Sequence, residues 1–286
     1  MPGRGFISAA SGLVRAGSTL YVVADDELHL ACFDLEGRRP GELLRLFPGQ
    51  LPDGRKQRKR AKPDLEILVA LPATPTAPHG CLLALGSGSG PLRRRGAVLP
   101  LDAQHKPLGS ARVVDASGFF DGLAREVDDL NLEGAWIAHE TLYCLQRGNR
   151  AHVANVIIGL DLEDVLESLI EGAPGPAPLS LQTMPLGEYR GVPLSFSDAC
   201  GLPDGRWVFT AVAEDTDSSY EDGSFAGAAI GLADAALRTL WIRPVHPALK
   251  IEGVDAREEA GRLHLLLVTD DDNPATPAGL YAAAVA

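Results

Sequence analysis

The 286-residue chain is short of cysteine, basic charge and long apolar runs. Its four cysteines, Cys32, Cys81, Cys144 and Cys200, form no C-x-x-C pair. That argues against a zinc knuckle or redox motif and for buried thiols in a reducing cytoplasm. Lys plus Arg number 26 against 38 for Asp plus Glu, a net charge of −12. Such a surface repels phosphate backbones, so no nucleic-acid partner is expected. No apolar stretch approaches the 18 or so residues of a membrane-spanning helix, so no membrane partner is expected either. Met1 to Gly17 carries Arg4 and Arg15 but lacks the apolar centre of a signal peptide, and a cytoplasmic monomer is the default expectation. Gly (31) and Pro (21) stay below the level of disordered chains, yet supply many turns, which points to β structure.

What the chain does contain is a loose pattern that returns five times. Each copy opens on a short apolar strand carrying a small or acidic marker: Ala10-Ser11-Gly12-Leu13, Asp64-Leu65-Glu66-Ile67, Asn131-Leu132-Glu133-Gly134, Phe196-Ser197-Asp198-Ala199 and Lys250-Ile251-Glu252-Gly253. With Ser11, Glu66, Glu133, Asp198 and Glu252 as markers, the copies lie 54 to 67 residues apart. A second strand follows each marker and ends in polar residues, such as Asp25-Asp26, Arg147-Gly148-Asn149, Glu214-Asp215 and Asp270-Asp271-Asp272. Third strands follow in all five copies and fourth strands in the first four. Gly5-Phe6-Ile7-Ser8-Ala9 is a surplus strand at the start that matches the deficit at the end.

This is the bookkeeping of a β-propeller, whose last blade is closed by an N-terminal strand. The expected fold is all-β: one domain over residues 1–286 with five blades of about 57 residues each, six being the alternative count. A β-sandwich is the competing architecture. Apolar residues at 162, 165, 166, 169 and 170 predict a short helical insertion over Asp161 to Ile170, stopped at Gly172, and a second insertion is expected within Phe119 to Leu130.

Inner strands of a propeller line the central channel, so Glu66, Glu133, Asp198 and Glu252 should converge on one axis. Clustered carboxylates repel, and burial adds to the cost, so a hard cation, protonation or basic side chains must offset them. Oxygen-only donors select Ca²⁺, or Mg²⁺, over zinc. The run Arg55-Lys56-Gln57-Arg58-Lys59-Arg60-Ala61-Lys62-Pro63 reverses the charge just before Glu66. It reads as a solvated loop that overhangs the mouth. There Arg60 and Lys62, with Arg147 and Asn149, are candidates to hold a small anionic or phosphorylated ligand, and Asp270 and Asp272 are candidates for the rim. No catalytic triad, P-loop or EF-hand spacing is present.

Asn131-Leu132-Glu133-Gly134-Ala135-Trp136, Ser197-Asp198-Ala199-Cys200 and Lys250-Ile251-Glu252-Gly253-Val254-Asp255 resemble the recurring "EG" strands of bacterial propellers, a group that includes the esterase-like activity of phytase domain. The resemblance implies acidic residues at the axis, often a bound calcium, and in some relatives phosphoester hydrolysis. Two readings follow: a metal-assisted phosphoesterase working at the channel mouth, or a non-catalytic propeller that binds a small ligand or protein around a structural calcium.

Overall fold

Short strands with apolar residues on both faces, separated by Gly- and Asp-rich turns, form five small sheets in the computed structural model, which describes residues 5–149, 154–217 and 223–285. The first sheet takes β1 (Ala10–Ala16), β2 (Thr19–Ala24), β3 (His29–Asp34) and β4 (Glu42–Arg45) in that order. The second takes β5 (Leu65–Leu71), β6 (Cys81–Gly86), β7 (Arg95–Pro100) and β8 (Arg112–Asp115). The third takes β9 (Leu132–Ala138), β10 (Thr141–Gln146), β11 (Val156–Asp161) and β12 (Ser180–Thr183). The fourth adds a two-residue strand, β13 (Glu188–Tyr189), to β14 (Val192–Gly201), β15 (Trp207–Asp215), β16 (Ser224–Ala233) and β17 (Thr239–Pro244). The fifth has β18 (Ile251–Glu259), β19 (Arg262–Thr269) and β20 (Leu280–Val285).

The inner strands run in a ring: β1 packs beside β5, β5 beside β9, β9 beside β14, β14 beside β18, and β18 returns to β1. One apolar cluster fills each gap between neighbouring sheets, which makes a five-bladed propeller. Second strands such as β2 and β6 are buried along their whole length because both of their faces meet a neighbouring blade. The gap between the second and third blades also receives helical insertions, one supplying Phe119, Phe120 and Leu123 and another Leu162 and Val165.

Three α-helices and a single 3-10 turn at Pro91–Arg93 interrupt the strands among the described residues. The basic run is not a loop: Arg55–Ala61 is a helix, α1, with no buried residue of its own. It is tied down by tertiary contacts. Arg58 pairs with Asp26 and Glu27, and Arg93 and Arg95 donate to the carbonyls of Lys59 and Ala61 at its C-terminal end, where the helix dipole favours cations. Ser117–Leu123 is α2 and Leu162–Leu166 is α3, continued by a π turn over Glu167–Glu171. The Asp161 side chain caps α3 by accepting from the amides of Glu163 and Asp164, and Gly172 ends the segment in the left-handed region.

Ring closure differs from expectation. Gly5 to Ala9 does not lie along β20 as a fourth strand. It meets the fifth blade at its mouth end, through an Ala9–Asp270 bridge and a bond from the Ala278 amide to the Ile7 carbonyl. The seam between the last and first blades is closed directly by β18 on β1. There Asp255 accepts from the Arg15 backbone at 3.0 Å and from its guanidinium at 3.1 Å.

Candidate functional site

The repeated motif acquires a structural meaning in the strand registers. Each inner strand skips one residue in its pairing with the second strand, and the residue left over is Ser11, Glu66, Glu133, Ser197 or Glu252. A β-bulge of this kind leaves the extra residue outside the ladder and re-aims its side chain. The glycine that follows serves packing. A Cβ on Gly253 would lie 2.9 Å from the Ser11 carbonyl, and one on Gly134 would lie 2.8 Å from Asp198 Cα. Glycine at these positions lets neighbouring inner strands approach.

This corrects one candidate. In the fourth blade the bulge residue is Ser197, and Asp198 occupies the position that glycine holds in the first, third and fifth blades. Asp198 faces the seam between blades and accepts from the Val254 amide at 2.8 Å. It does not join the acidic residues of the channel. Ser197 donates to the Ile251 carbonyl at 2.8 Å, and its hydroxyl oxygen accepts from the Thr210 hydroxyl at 2.9 Å.

The other three markers do converge. Burial pushes the Glu66 carboxyl far up, and the charges of Glu133, Asp64 and Asp25 push the same way. Burial also takes Glu133 to about 7 and Glu252 to about 8, in each case against the pull of the basic groups beside them. Those basic groups are the counterions. Arg147 bonds Glu133 at 3.3 Å and Glu214, while Asn131 donates to Glu133 at 2.7 Å. Lys250 sits 2.8 Å from Glu214, 3.4 Å from Glu252 and 2.8 Å from Asp272. Lys62 pairs with Asp25 and, at 2.9 Å, with Asp64. Asp64 also meets Arg93 at 2.7 Å and the Ser87 hydroxyl at 2.6 Å. Burial opposes ionisation of Asp64 and Glu214, but the paired cations hold both carboxyls below the usual range.

Lys62 and Arg147 are therefore internal counterions rather than open anion-binding groups. Arg60 is exposed on α1 and is not among the residues lining the cleft beside that helix. Asn149 is half-buried two residues beyond Arg147. Asp272 is a partner of Lys250. Asp270 is pushed up to about 7 by burial and by the nearby charge of Asp25. Five members of the cluster were not candidates from sequence: Asp25, Asp64, Arg93, Glu214 and Lys250. The signal for Asp25 and Glu214 lay in the polar tails of the second strands. Glu214 reaches the mouth because β15 runs past the end of its ladder with β14 at Ala213 and pairs on with β16, Glu214 opposite Phe225 and Asp215 opposite Ser224.

Two features of the mouth remain open. A cleft of about 240 Å³ lies between the first and fifth blades under α1, with Asp25, Asp270 and Asp272 on one side and Arg55, Lys59 and Lys62 on the other. At its inner side, one oxygen each from Asp25, Asp64 and Glu66 lie within 4.8 Å of one another. Glu66 has no hydrogen bond or ion pair among the described residues.

Residues 6–285 match one family model over nearly their whole length. The chain belongs to the family of unknown function DUF6929. No curated protein matches it. Among solved structures, the bifunctional GH43-CE protein of Bacteroides eggerthii aligns at 12% identity and a TM-score of 0.53 over 98% of this chain and 33% of that one. A glucose dehydrogenase aligns at 10% identity and a TM-score of 0.50 over 98% and 97%. The hydrazine synthase of Kuenenia stuttgartiensis aligns at 12% identity and a TM-score of 0.41, the chain spanning 66% of its length. At these identities the likeness is one of fold alone. Among the described residues, no helix is long and apolar enough to cross a membrane.

Proposed function

We propose that the channel mouth of this propeller is a cation site, with Ca²⁺ (or Mg²⁺) taken by Asp25, Asp64 and Glu66. The observation that carries this reading is the unpartnered Glu66 carboxylate beside two others within ligand distance of one another. The wider balance supports it. Eight carboxylates (Asp25, Asp64, Glu66, Glu133, Glu214, Glu252, Asp270, Asp272) lie here, and four basic groups (Lys62, Arg93, Arg147, Lys250) pair with members of that set, while Arg55, Arg58 and Lys59 line the adjoining cleft. Hard cations prefer such all-oxygen donor sets. Lys62 places its ammonium against two of the three donors, so a metal ion would bind in competition with it.

The finer reading is a metal-assisted phosphoesterase of the phytase-like kind. Arg55, which lines the same cleft, supports a small anionic ligand next to the cation. In that case the cation would polarise the phosphoryl oxygens and lower the pKa of a bound water. The four cysteines are all free, which supports a reducing, cytoplasmic setting.

Calorimetric titration with CaCl₂ and MgCl₂ on the wild type and Glu66→Gln tests the site. Binding heat in the wild type, weakened in the variant, is the expected result. Absence of heat with either ion sinks the cation reading. Turnover of p-nitrophenyl phosphate with and without Ca²⁺ then separates a phosphoesterase from a binding module.

A further inference from the structure

A separate cavity lies beside the cleft under α1. It measures about 310 Å³ and shares Glu27, Asp53 and Arg58 with the 240 Å³ cleft, so the two spaces meet along one wall. Its position follows from the ladder of the first blade. His29 pairs opposite Arg45 and Ala31 opposite Leu43, so these four side chains share one face of the sheet. Ala31 packs with Val268 of β19, so that face looks towards the fifth blade. The leading segment closes over it: Ile7 joins the same apolar cluster, and its carbonyl accepts from the Ala278 amide.

The lining differs from that of the cleft. Phe6, Ile7, Leu28, Leu43 and Leu51 make this chamber largely apolar, and Phe6 and Leu43 are left 38% and 52% exposed. Its basic side chains are engaged elsewhere. Arg45 donates to the Phe47 and Gly49 carbonyls, and Arg58 is held by Asp26 and Glu27. Burial and the charge of Arg45 lower the proton affinity of His29, which favours the neutral imidazole at pH 7.

We propose that this chamber holds the apolar body of the ligand whose anionic end lies in the cleft, so that the ligand is a phosphate monoester of an aryl or alkyl group. Its charged end rests on the cation reading above, and its apolar end on the lining of the chamber. Arg55, Lys59 and Lys62 line the cleft but not the chamber, which sets the orientation: phosphate towards α1 and the cation, ring beneath Phe6 and Ile7. Small-molecule sites span roughly 300–1,000 Å³, and the chamber with its adjoining cleft falls in that range. A polyhydroxylated body fits badly, because its hydroxyls would exchange water for apolar side chains. An aryl body would instead cover Phe6 and Leu43, apolar surface that the fold leaves in water.

Two phosphonates, which no phosphoesterase can hydrolyse, test this by calorimetric titration of the full chain in CaCl₂ and in EDTA. Methylphosphonate lacks the apolar body and 2-naphthylmethylphosphonate has it. In CaCl₂ the naphthyl probe should bind at least about tenfold tighter, since burying about 60 Å² of apolar ring surface is worth that factor. Leu43→Glu, at a position more than half exposed, should abolish the preference while keeping the wild-type circular dichroism, and Leu43→Ile should retain it. Equal affinity for the two probes overturns the proposal, as does a preference that survives Leu43→Glu. In either case Ca²⁺ heat on the ligand-free protein leaves the cation site standing. Absence of that heat, with the naphthyl probe bound equally in CaCl₂ and EDTA, removes the cation site and overturns the proposed ligand with it.

Discussion

Replacing Lys62 by Met is the most discriminating perturbation of the channel mouth. Lys62 is 9% exposed, and its ammonium touches Asp25 and Asp64. Methionine keeps the length and removes the charge, so Asp25, Asp64 and Glu66 lose their nearest cation. Breaking a buried ion pair from one side costs about 3–5 kcal/mol, because the remaining charge is left uncompensated. For a chain of this length, about 2 °C per kcal/mol gives a fall of about 6–10 °C in melting temperature. The fall should be smaller at pH 6 than at pH 8, since Asp25 (about 6) and the strongly raised Glu66 can take up protons. Ca²⁺ should then restore stability, by about 2.7 kcal/mol at a hundred times its dissociation constant. It should do so at lower concentration than in the wild type, because its internal competitor has gone. Scanning calorimetry with EDTA and with graded CaCl₂ measures both effects. If the variant is destabilised but remains as indifferent to Ca²⁺ as to Na⁺, the three carboxylates are a structural ion-pair network and the cation site does not exist.

Other consequences can be checked on the same instrument. In EDTA, stability should fall as pH rises from 6 to 9. Asp25, Glu133, Asp270 and Glu252 are raised to about 6, 7, 7 and 8 in the fold, so the stability that their protonated forms contribute is present in acid and lost through those values. Asp64 and Glu214 are lowered and act in the opposite sense, so a second fall is expected below about pH 4, where their carboxylates take up protons. A melting temperature that is flat from pH 6 to 9 would contradict this balance. Asp198→Ala should cost about 1–3 kcal/mol by orphaning the Val254 amide, yet leave any Ca²⁺ response unchanged. Gly134→Ala should cost about 1–3 kcal/mol by overpacking, because the added carbon would lie 2.7 Å from Asp198 Oδ1, and urea melts would show it as a lowered midpoint.

The blade order was legible in the sequence because it rests on local signals: alternating apolar runs, the turns between them, and a motif that returns once per blade. Asp198 shows where such reading fails. A bulge changes the count by one residue, and in Ser197-Asp198 the acidic residue happens to sit one place beyond the bulge. Sequence spacing cannot tell the two neighbours apart; only the register with β15 does. Helix α1 was hidden for a different reason. Seven residues with six charged or amide side chains have no apolar period, and their helix is imposed from outside by Asp26, Glu27, Arg93 and Arg95.

These two failures have a common consequence for the site. The Glu-Gly pair that marks the third and fifth blades is half packing device and half side-chain placement: the glycine admits the adjacent strand, and the bulge turns the glutamate aside from the ladder. The first blade has Ser11-Gly12 at this place, the second Glu66-Ile67 and the fourth Ser197-Asp198, so the bulge recurs with different side chains and its recurrence alone says little about chemistry. What distinguishes this channel is the set of residues that do not recur. Lys62 lies just past α1, Arg147 beyond β10, Glu214 on the extended β15 and Lys250 before β18, each from a different blade or connection. Lys62, Arg147 and Lys250 neutralise Asp64, Glu133 and Glu252 unevenly, Glu214 competes for two of these cations, and Glu66 is left without a partner among the described residues. An evenly compensated ring would be a structural plug. The uneven one, beside an open cleft, concentrates the test of function on a single carboxylate, Glu66, and on the lysine that competes for its neighbours.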